Sequence, residues 1–124
     1  MSNLNYLLLS VDDPQKSAKT YTEVLGAAPV ESSPTFVMYA LPTGLKVGLW
    51  AKSGVQPAPR PAGGVEISFS EPDGDAVRKT YARWKKLGLE IVQEPTAMDF
   101  GFTFVAADGD GHRLRAFAPA AEPR

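Results

Sequence analysis

One pattern of structural signals occurs twice in the chain. A short apolar run, at residues 4–11 and again at 65–70, precedes acidic residues, a proline and a segment whose apolar residues recur at helical spacing. Three strand-like runs follow each helical segment, at residues 29–31, 35–41 and 45–51 in the first half and at 89–93, 102–106 and 112–118 in the second. This repeated βαβββ order predicts an α+β fold built from two related modules.

Both predicted helices carry boundary signals. Asp13 is a suitable N-cap, Pro14 suits the first helical position, and Gly26 suits the position just after the helix. The second helix is expected to begin at residues 71–73, Glu-Pro-Asp, and to end at Gly88.

The two modules are joined by the stretch GVQPAPRPAGG, residues 54–64, which is rich in proline and glycine and has no periodicity. Such a composition is typical of a linker. We therefore expect a single domain, residues 1–124, with module 1 at about 4–53 and module 2 at about 65–119.

Composition limits the function classes. Among 124 residues, 13 basic and 14 acidic side chains give a net charge of -1, so no basic surface for nucleic acid or an anionic membrane is expected. The absence of cysteine excludes disulfides and thiolate sites and fits a cytoplasmic protein. The N-terminal apolar run is too short to span a bilayer.

The stretch DGDGH, residues 108–112, has the residue types of a metal site but the spacing of a turn. A calcium loop of EF-hand type needs a closing glutamate, and Phe117 stands at that position. Asp-Gly-Asp-Gly is instead suitable turn chemistry between two strands. His112 is interpreted as a surface or capping residue, without a role in ligand binding.

Strand alternation predicts which side chains face away from the helices. In four strands the side opposite the main apolar positions carries aromatic residues and a few polar groups. The residues on this side are Tyr6, Leu8 and Ser10; Lys46, Gly48 and Trp50; Glu66, Ser68 and Ser70; and Arg113, Arg115 and Phe117. Mostly apolar walls with sparse polar groups are typical of small-molecule sites. Gly48 is expected to leave room for a flat ligand against Trp50, although Trp50 filling the core of its half is an equally good interpretation.

The order of several loose motifs resembles a known family. Ser17, Tyr21, Leu25 and Gly26 in the first helix, and the ending at residues 108–112, are similar to those of the glyoxalase/bleomycin-resistance superfamily, also called vicinal-oxygen-chelate proteins. The resemblance implies that each βαβββ half forms a curved mixed sheet, a partial barrel around a ligand cleft. It also implies a homodimer whose sites are shared between subunits.

The resemblance places the superfamily's metal ligands at Tyr6, about Gly48, Glu66 and Arg115. Only Glu66 suits a divalent ion, and catalytic metal sites use about three protein ligands. We therefore expect no metal and no cofactor. We also expect Arg115 to replace the metal's charge, either by pairing with Glu66 or by binding a ligand carboxylate.

Within the superfamily the chain is similar to the phenazine antibiotic resistance proteins, through VGLWA at residues 47–51, residues 94–112 and the helix ending in Trp84. This implies non-enzymatic binding, or sequestration, of a flat aromatic small molecule such as a phenazine-type antibiotic, with Trp50 as a stacking wall. The expected ligand-binding residues, with Phe100, Phe102 and Phe104 included by their location, are Tyr6, Gly48, Trp50, Glu66, Ser68, Phe100, Phe102, Phe104, Arg115 and Phe117.

Catalysis has no clear signal in the sequence. There is no nucleophile with an adjacent base and no glycine-rich phosphate loop, so no catalytic residue is expected. Two alternatives to a binding protein stay open. One is a metal-dependent lyase or dioxygenase of the vicinal-oxygen-chelate type, and the other is a cofactorless enzyme or a metabolite-binding regulatory module.

Overall fold

The structure, a computed structural model, describes residues 2–120 and divides into two compact units, Met1–Arg60 and Pro61–Arg124. The division falls inside the proline-rich stretch at residues 54–64. Each unit contains one helix and one four-stranded sheet. Among the described residues no helix combines the length and the hydropathy needed to cross a membrane.

The first unit consists, in chain order, of β1 (Tyr6–Val11), α1 (Pro14–Leu25), β2 (Glu31–Ser32), β3 (Phe36–Ala40) and β4 (Lys46–Ala51), followed by a 3-10 turn (Lys52–Gly54). Its strands lie in the order β1-β4-β3-β2. β1 runs parallel to β4, and the other pairs are antiparallel.

The second unit repeats this arrangement with β5 (Glu66–Ser70), α2 (Gly74–Lys86), β6 (Glu90–Met98), β7 (Gly101–Ala107) and β8 (Arg113–Pro119). Its strand order is β5-β8-β7-β6, with β5 parallel to β8. The predicted α+β fold of two βαβββ modules is therefore confirmed. Both sheets are open and mixed, and neither closes into a barrel.

The helix ends follow from local sequence. Asp13 accepts hydrogen bonds from the backbone N–H groups of Gln15 and Lys16, and α1 ends at Gly26, whose φ of 66° is left-handed. Asp73 caps α2 in the same way, accepting from Ala76 N at 2.9 Å. The predicted N-cap Asp13 is confirmed, and Asp73 lies in the segment where the second helix was expected to begin. Both act as caps because short acidic side chains satisfy the free N–H groups of a first turn.

In the first unit the core lies between α1 and the sheet. Tyr39 and Tyr21 are almost fully buried there, and the Tyr39 hydroxyl bonds Thr22 Oγ1 at 2.9 Å and donates to the Ala18 carbonyl at 3.2 Å. Because Tyr39 reaches α1, the strand residues in phase with it also face the helix, as the complete burial of Val37 and Leu49 shows.

In the second unit α2 packs on the sheet through aromatic rings. Phe104 makes edge contacts with Tyr81 at 5.3 Å and Trp84 at 5.2 Å, between ring centroids. Phe69 meets Trp84 at 5.3 Å. Trp84 is 2% exposed and belongs to the core of this unit.

Two predicted ligand-binding residues, Phe102 and Phe104, belong to this helix-facing side of the second sheet. Phe104 is 0% exposed, and the ring of Phe102 lies under the guanidinium of Arg78 from α2, at 4.7 Å. Their assignment to a ligand cleft is corrected, because alternation along β7 puts both under α2, in phase with Ala116 of β8.

Strand β6 is longer than predicted. The sequence predicted a strand at residues 89–93, yet the strand continues through Pro95 to Met98. β6 is an edge strand, and its register with β7 shifts between Ile91 and Gln93 and again between Gln93 and Thr96. An edge position with bulges tolerates a residue that lacks an N–H donor.

The segment at residues 108–112 is a turn between β7 and β8, as predicted. Asp108 Oδ1 accepts hydrogen bonds from the backbone N–H groups of Asp110 at 2.9 Å and His112 at 2.8 Å. Gly111 has a φ of 91°, which favours glycine. The carboxylate of Asp108 therefore organises the turn itself.

Candidate functional site

Each sheet has one side that faces away from its own helix, and the predicted site residues other than Phe102 and Phe104 lie on these sides or beside them. We call the two sides the open faces. The first open face consists of Tyr6, Leu8, Ser10, Phe36, Met38, Lys46, Gly48 and Trp50. The second consists of Glu66, Ser68, Gln93, Thr103, Arg113, Arg115 and Phe117.

The first open face is mostly apolar and partly exposed. Register pairs Leu8 with Gly48 and Phe36 with Trp50, which places these side chains next to one another. Tyr6 is 51% exposed and Leu8 49% exposed. The prediction that Tyr6, Gly48 and Trp50 share a face is confirmed, and their role in ligand binding stays a prediction.

Gly48 does not leave an open slot beside the indole. A Cβ atom added there would lie 2.8 Å from Leu8 Cδ2 and 2.9 Å from two ring atoms of Phe36. The expected room above Gly48 is therefore filled by the protein's own side chains. The glycine is needed for their close approach, and the surface available to a ligand is formed by Leu8, Phe36 and Trp50.

Two further contacts fix the ends of this face. The ammonium of Lys46 lies 5.2 Å from the centre of the Tyr6 ring, a cation–π geometry. At the other end, a Cβ added to Gly54 would lie 3.7 Å from Trp50 Nε1. The 3-10 turn after β4 thus lies close to the indole nitrogen.

The second open face is organised by an ion pair between strands β5 and β8. Arg115 Nε donates to Glu66 Oε1 at 2.8 Å, and Arg115 Nη2 donates to Oε2 at 3.1 Å. The two parallel bonds match the fork of a guanidinium to a carboxylate. They hold the pKa of Glu66 below its usual value. Burial of the carboxylate acts to raise this pKa, and the nearby positive charges of Arg115 and Arg113 act to lower it further.

The remaining bonds of Arg115 tie it to the sheet. Its Nη1 donates to Thr103 Oγ1 at 3.2 Å and to Gln93 Oε1 at 3.4 Å, and Thr103 in turn donates to the Ala116 carbonyl. Arg115 is 19% exposed and Glu66 28% exposed. The predicted pairing with Glu66 is confirmed, and it leaves little of the Arg115 guanidinium for a ligand.

An aromatic pair lies next to this ion pair. Phe100, in the turn before β7, meets Phe117 edge-to-face with ring centroids 6.2 Å apart. The guanidinium of Arg115 lies 5.7 Å from the centre of the Phe100 ring. Because Phe100 is 42% exposed, this pair offers an aromatic surface beside a charged group.

The residues that the resemblance placed at metal positions do not fit a divalent ion. Gly48 has no donor, Arg115 is a cation, and both carboxylate oxygens of Glu66 accept bonds from Arg115. Within residues 2–120, no group of three or more His, Cys, Asp or Glu side chains could hold a metal ion. A metal bound at Glu66 would have to displace the arginine.

Sequence reasoning missed several members of the two faces. Phe36 was not among the predicted ligand-binding residues, although a turn at residues 42–44 implies the strand register that sets Phe36 opposite Trp50. The same reasoning across the turn at 108–112 sets Thr103 opposite Phe117. Gln93 gave no such signal, because the bulges of β6 shift its register.

Comparison with known proteins agrees with this architecture. The sequence model of the glyoxalase/bleomycin resistance protein/dioxygenase superfamily matches residues 3–116. The chain belongs to this superfamily. Its name joins enzymes with resistance proteins, so membership of the superfamily does not by itself decide between catalysis and binding.

Individual proteins similar to this chain cover most of its length. The phenazine antibiotic resistance protein EhpR of Enterobacter agglomerans is 27% identical over 114 residues, which are 90% of this chain and 88% of that protein. A protein of Agrobacterium tumefaciens, known from a solution NMR structure, is 43% identical with a TM-score of 0.90, over 98% and 100% of the two chains. A glyoxalase-related enzyme from Fulvimarina pelagi has 22% identity and a TM-score of 0.85, over 95% and 88%, and shows the fold alone.

Proposed function

We propose that the protein binds a flat aromatic small molecule, such as a phenazine-type antibiotic, and sequesters it without changing it chemically. The observation that carries the proposal is the first open face, where Trp50 stays partly exposed on a mostly apolar surface. The likeness to the phenazine antibiotic resistance protein supports the ligand class.

Stacking supplies the affinity in this proposal. A fused aromatic ring system lying against Trp50 and the edge of Phe36 would remove apolar surface from water, and each aromatic contact adds roughly 0.5–1.5 kcal/mol beyond that burial. A tightly packed face is already shaped before the ligand arrives, so little ordering of side chains opposes binding.

The second open face supports binding over metal-dependent catalysis. Glu66 is committed to Arg115 by two short hydrogen bonds, and an ion pair of this kind fixes a surface without supplying a base or a nucleophile. We therefore assign Glu66 and Arg115 a structural role next to the aromatic pair Phe100 and Phe117.

We place this activity in a homodimer whose sites are shared between subunits. Large exposed apolar side chains lie on the first open face, as Leu8 does, and beside the second, as Phe100 does, and exposed apolar patches are common at sites where a second chain binds. Light scattering coupled to size-exclusion chromatography would show twice the mass of 13.3 kDa. A monomer at micromolar concentration would contradict this part of the proposal.

Tryptophan fluorescence tests the proposed site. Phenazine should quench the emission of metal-stripped protein saturably through Trp50, while Trp84, which lies on the buried side of α2 and is 2% exposed, stays insensitive. A Trp50→Phe variant keeps an aromatic ring but should lose the signal. Quenching that persists unchanged in this variant would place the ligand elsewhere, and no quenching by any flat aromatic would refute the proposal.

A further inference from the structure

The solvent side of α2 is strongly basic. The helix buries one stripe, formed by Val77, Thr80 and Trp84, against the second sheet. The remaining surface of the helix carries five cations, all at exposed positions, and we call it the basic face of α2. Its cations are Arg78, Lys79, Arg83, Lys85 and Lys86.

Helical spacing gathers these cations on one side of the helix. Arg78 and Lys85, like Lys79 and Lys86, are separated by close to two helical turns. Arg83 follows Lys79 by about one turn. At about 1.5 Å of rise per residue, the basic face is about 12 Å long.

Carboxylates leave most of this charge uncompensated. None of the ion pairs among residues 2–120 involves a cation of α2. Lys85 donates a hydrogen bond to the Tyr81 hydroxyl at 3.3 Å, and Tyr81 in turn donates to Glu94 at 2.7 Å. Lys79 and Lys86 have no hydrogen-bond, ion-pair or ring partner in the described part of the chain. Both are therefore available to an external anion.

The overall charge of the chain conceals this face. Five of the 13 basic residues lie on α2 with one of the 14 acidic residues, Asp75, so the helix has a net charge of +4 and the rest of the chain has -5. The near-zero total predicted no basic surface, and the basic face corrects that expectation. Local charge, rather than the total, decides what a surface attracts at close range.

We propose that the basic face of α2 holds the protein reversibly on an anionic lipid bilayer, through headgroups such as phosphatidylglycerol. Clusters of four to eight Lys and Arg residues on one helix are suited to such a surface, where each cation strengthens binding about fivefold. Leu87, at the end of the helix, is 38% exposed. It adds one apolar side chain that the interfacial region of a bilayer can accept.

The side chains between the cations favour a bilayer over a nucleic acid. Ala82 and Asp75 supply neither a stacking ring nor an amide that could recognise a base edge. The nearest aromatic ring, that of Tyr81, packs edge-on against Phe104 and lies under the ammonium of Lys85. A bilayer needs no such groups, because it presents only a plane of negative charge.

Co-sedimentation of the full chain with vesicles tests the proposal. At low salt the wild type should bind vesicles of equal parts phosphatidylglycerol and phosphatidylcholine at least about tenfold more strongly than pure phosphatidylcholine vesicles. This binding should weaken as sodium chloride rises. The double variant Lys79→Gln/Lys86→Gln should lower the partition coefficient about 25-fold, at about fivefold for each charge.

The double variant Lys16→Gln/Lys19→Gln is the matched control, because it removes the same charge from exposed positions of α1. It should lower vesicle binding by no more than about twofold. Circular dichroism checks that both variants stay folded.

Equal losses in the two double variants would overturn the proposal, since total charge rather than the basic face would then drive binding. Failure of the wild type to bind the anionic vesicles would also overturn it. Tighter binding to a short DNA duplex, compared at equal phosphate concentration by fluorescence anisotropy, would assign the face to nucleic acid instead. None of these readouts involves an aromatic ligand, so the result is independent of the proposed function.

Discussion

Replacing Arg115 by alanine should destabilise the protein far more than replacing Arg113, its neighbour two residues away on the same face. Arg115→Ala removes two short charge-assisted bonds to Glu66 and one bond to Thr103. It also removes the guanidinium from the ring of Phe100. Arg113→Ala removes only an ion pair of 3.6 Å from a side chain that is 43% exposed.

The magnitudes follow from burial. An exposed ion pair contributes about 0–1 kcal/mol, and breaking a fully buried pair costs about 3–5 kcal/mol. Glu66 is 28% exposed, so water can solvate its carboxylate once Arg115 is gone. We therefore expect Arg115→Ala to lower the free energy of unfolding by about 2–3 kcal/mol, and Arg113→Ala to lower it by about 0.5 kcal/mol or less.

Urea unfolding in a Trp50→Phe background measures both effects, because the remaining indole, Trp84, lies in the core of the same unit. A double-mutant cycle with Glu66→Gln should give a coupling energy of about 1.5 kcal/mol between Glu66 and Arg115. Equal destabilisation by the two arginine variants, or a coupling energy near zero, would refute the assignment of Arg115 as the structural partner.

Three further predictions concern pH, packing and the core. Because the pKa of Glu66 is lowered in the folded protein, its pairing with Arg115 stabilises the fold above the pKa of the unfolded chain, and this stabilisation is lost as pH falls through the folded pKa. Below the ordinary pKa of 4.5, the free energy of unfolding should therefore fall more steeply with pH in the wild type than in Glu66→Gln. Urea unfolding across that pH range measures the difference. Gly48→Ala should cost about 1–3 kcal/mol in thermal unfolding, because its Cβ would overlap two side chains that already close over it. Phe104→Ala should lower the free energy of unfolding by about 3–5 kcal/mol, because it truncates a fully buried core side chain. Phe100→Ala, at a 42% exposed position, should lower it by about 1 kcal/mol or less and should mainly weaken ligand binding.

Much of the fold could be predicted because its signals are local. Asp13 and Asp73 cap their helices through bonds to residues two or three positions on, and such bonds depend on the neighbouring sequence alone. The alternation in β1, β4, β5 and β8 also identified their open faces, because at least one polar side chain stands on that side of each strand while the other side is apolar.

The phase of β7 could not be predicted in the same way. Its sequence, GFTFVAA, has apolar residues on both sides, so alternation gives no contrast between a helix-facing and an open position. Phe102 and Phe104 were assigned to the ligand by their location in the sequence, and the alternation in β7 gave no contrast that argued against this assignment. Their true phase is set by pairing with β8, where Ala116 and Ala118 face α2.

The contents of the open faces depend on contacts between distant residues. The sequence predicted free space beside Gly48, and only the positions of Leu8 and Phe36 in the structure show that their side chains fill this space. Likewise, two arginines at alternate positions look equivalent until Glu66, almost fifty residues earlier, is seen to bind one of them. Tertiary pairing of this kind has no local sequence signal.

Equilibrium dialysis of metal-stripped protein against phenazine, with recovery and mass analysis of the ligand, tests the central claim most directly. The account predicts saturable binding without added metal and quantitative recovery of unchanged phenazine. Binding or ligand consumption that requires Mn²⁺, Fe²⁺ or Zn²⁺ would contradict it and would identify the protein as a metal-dependent enzyme of its superfamily.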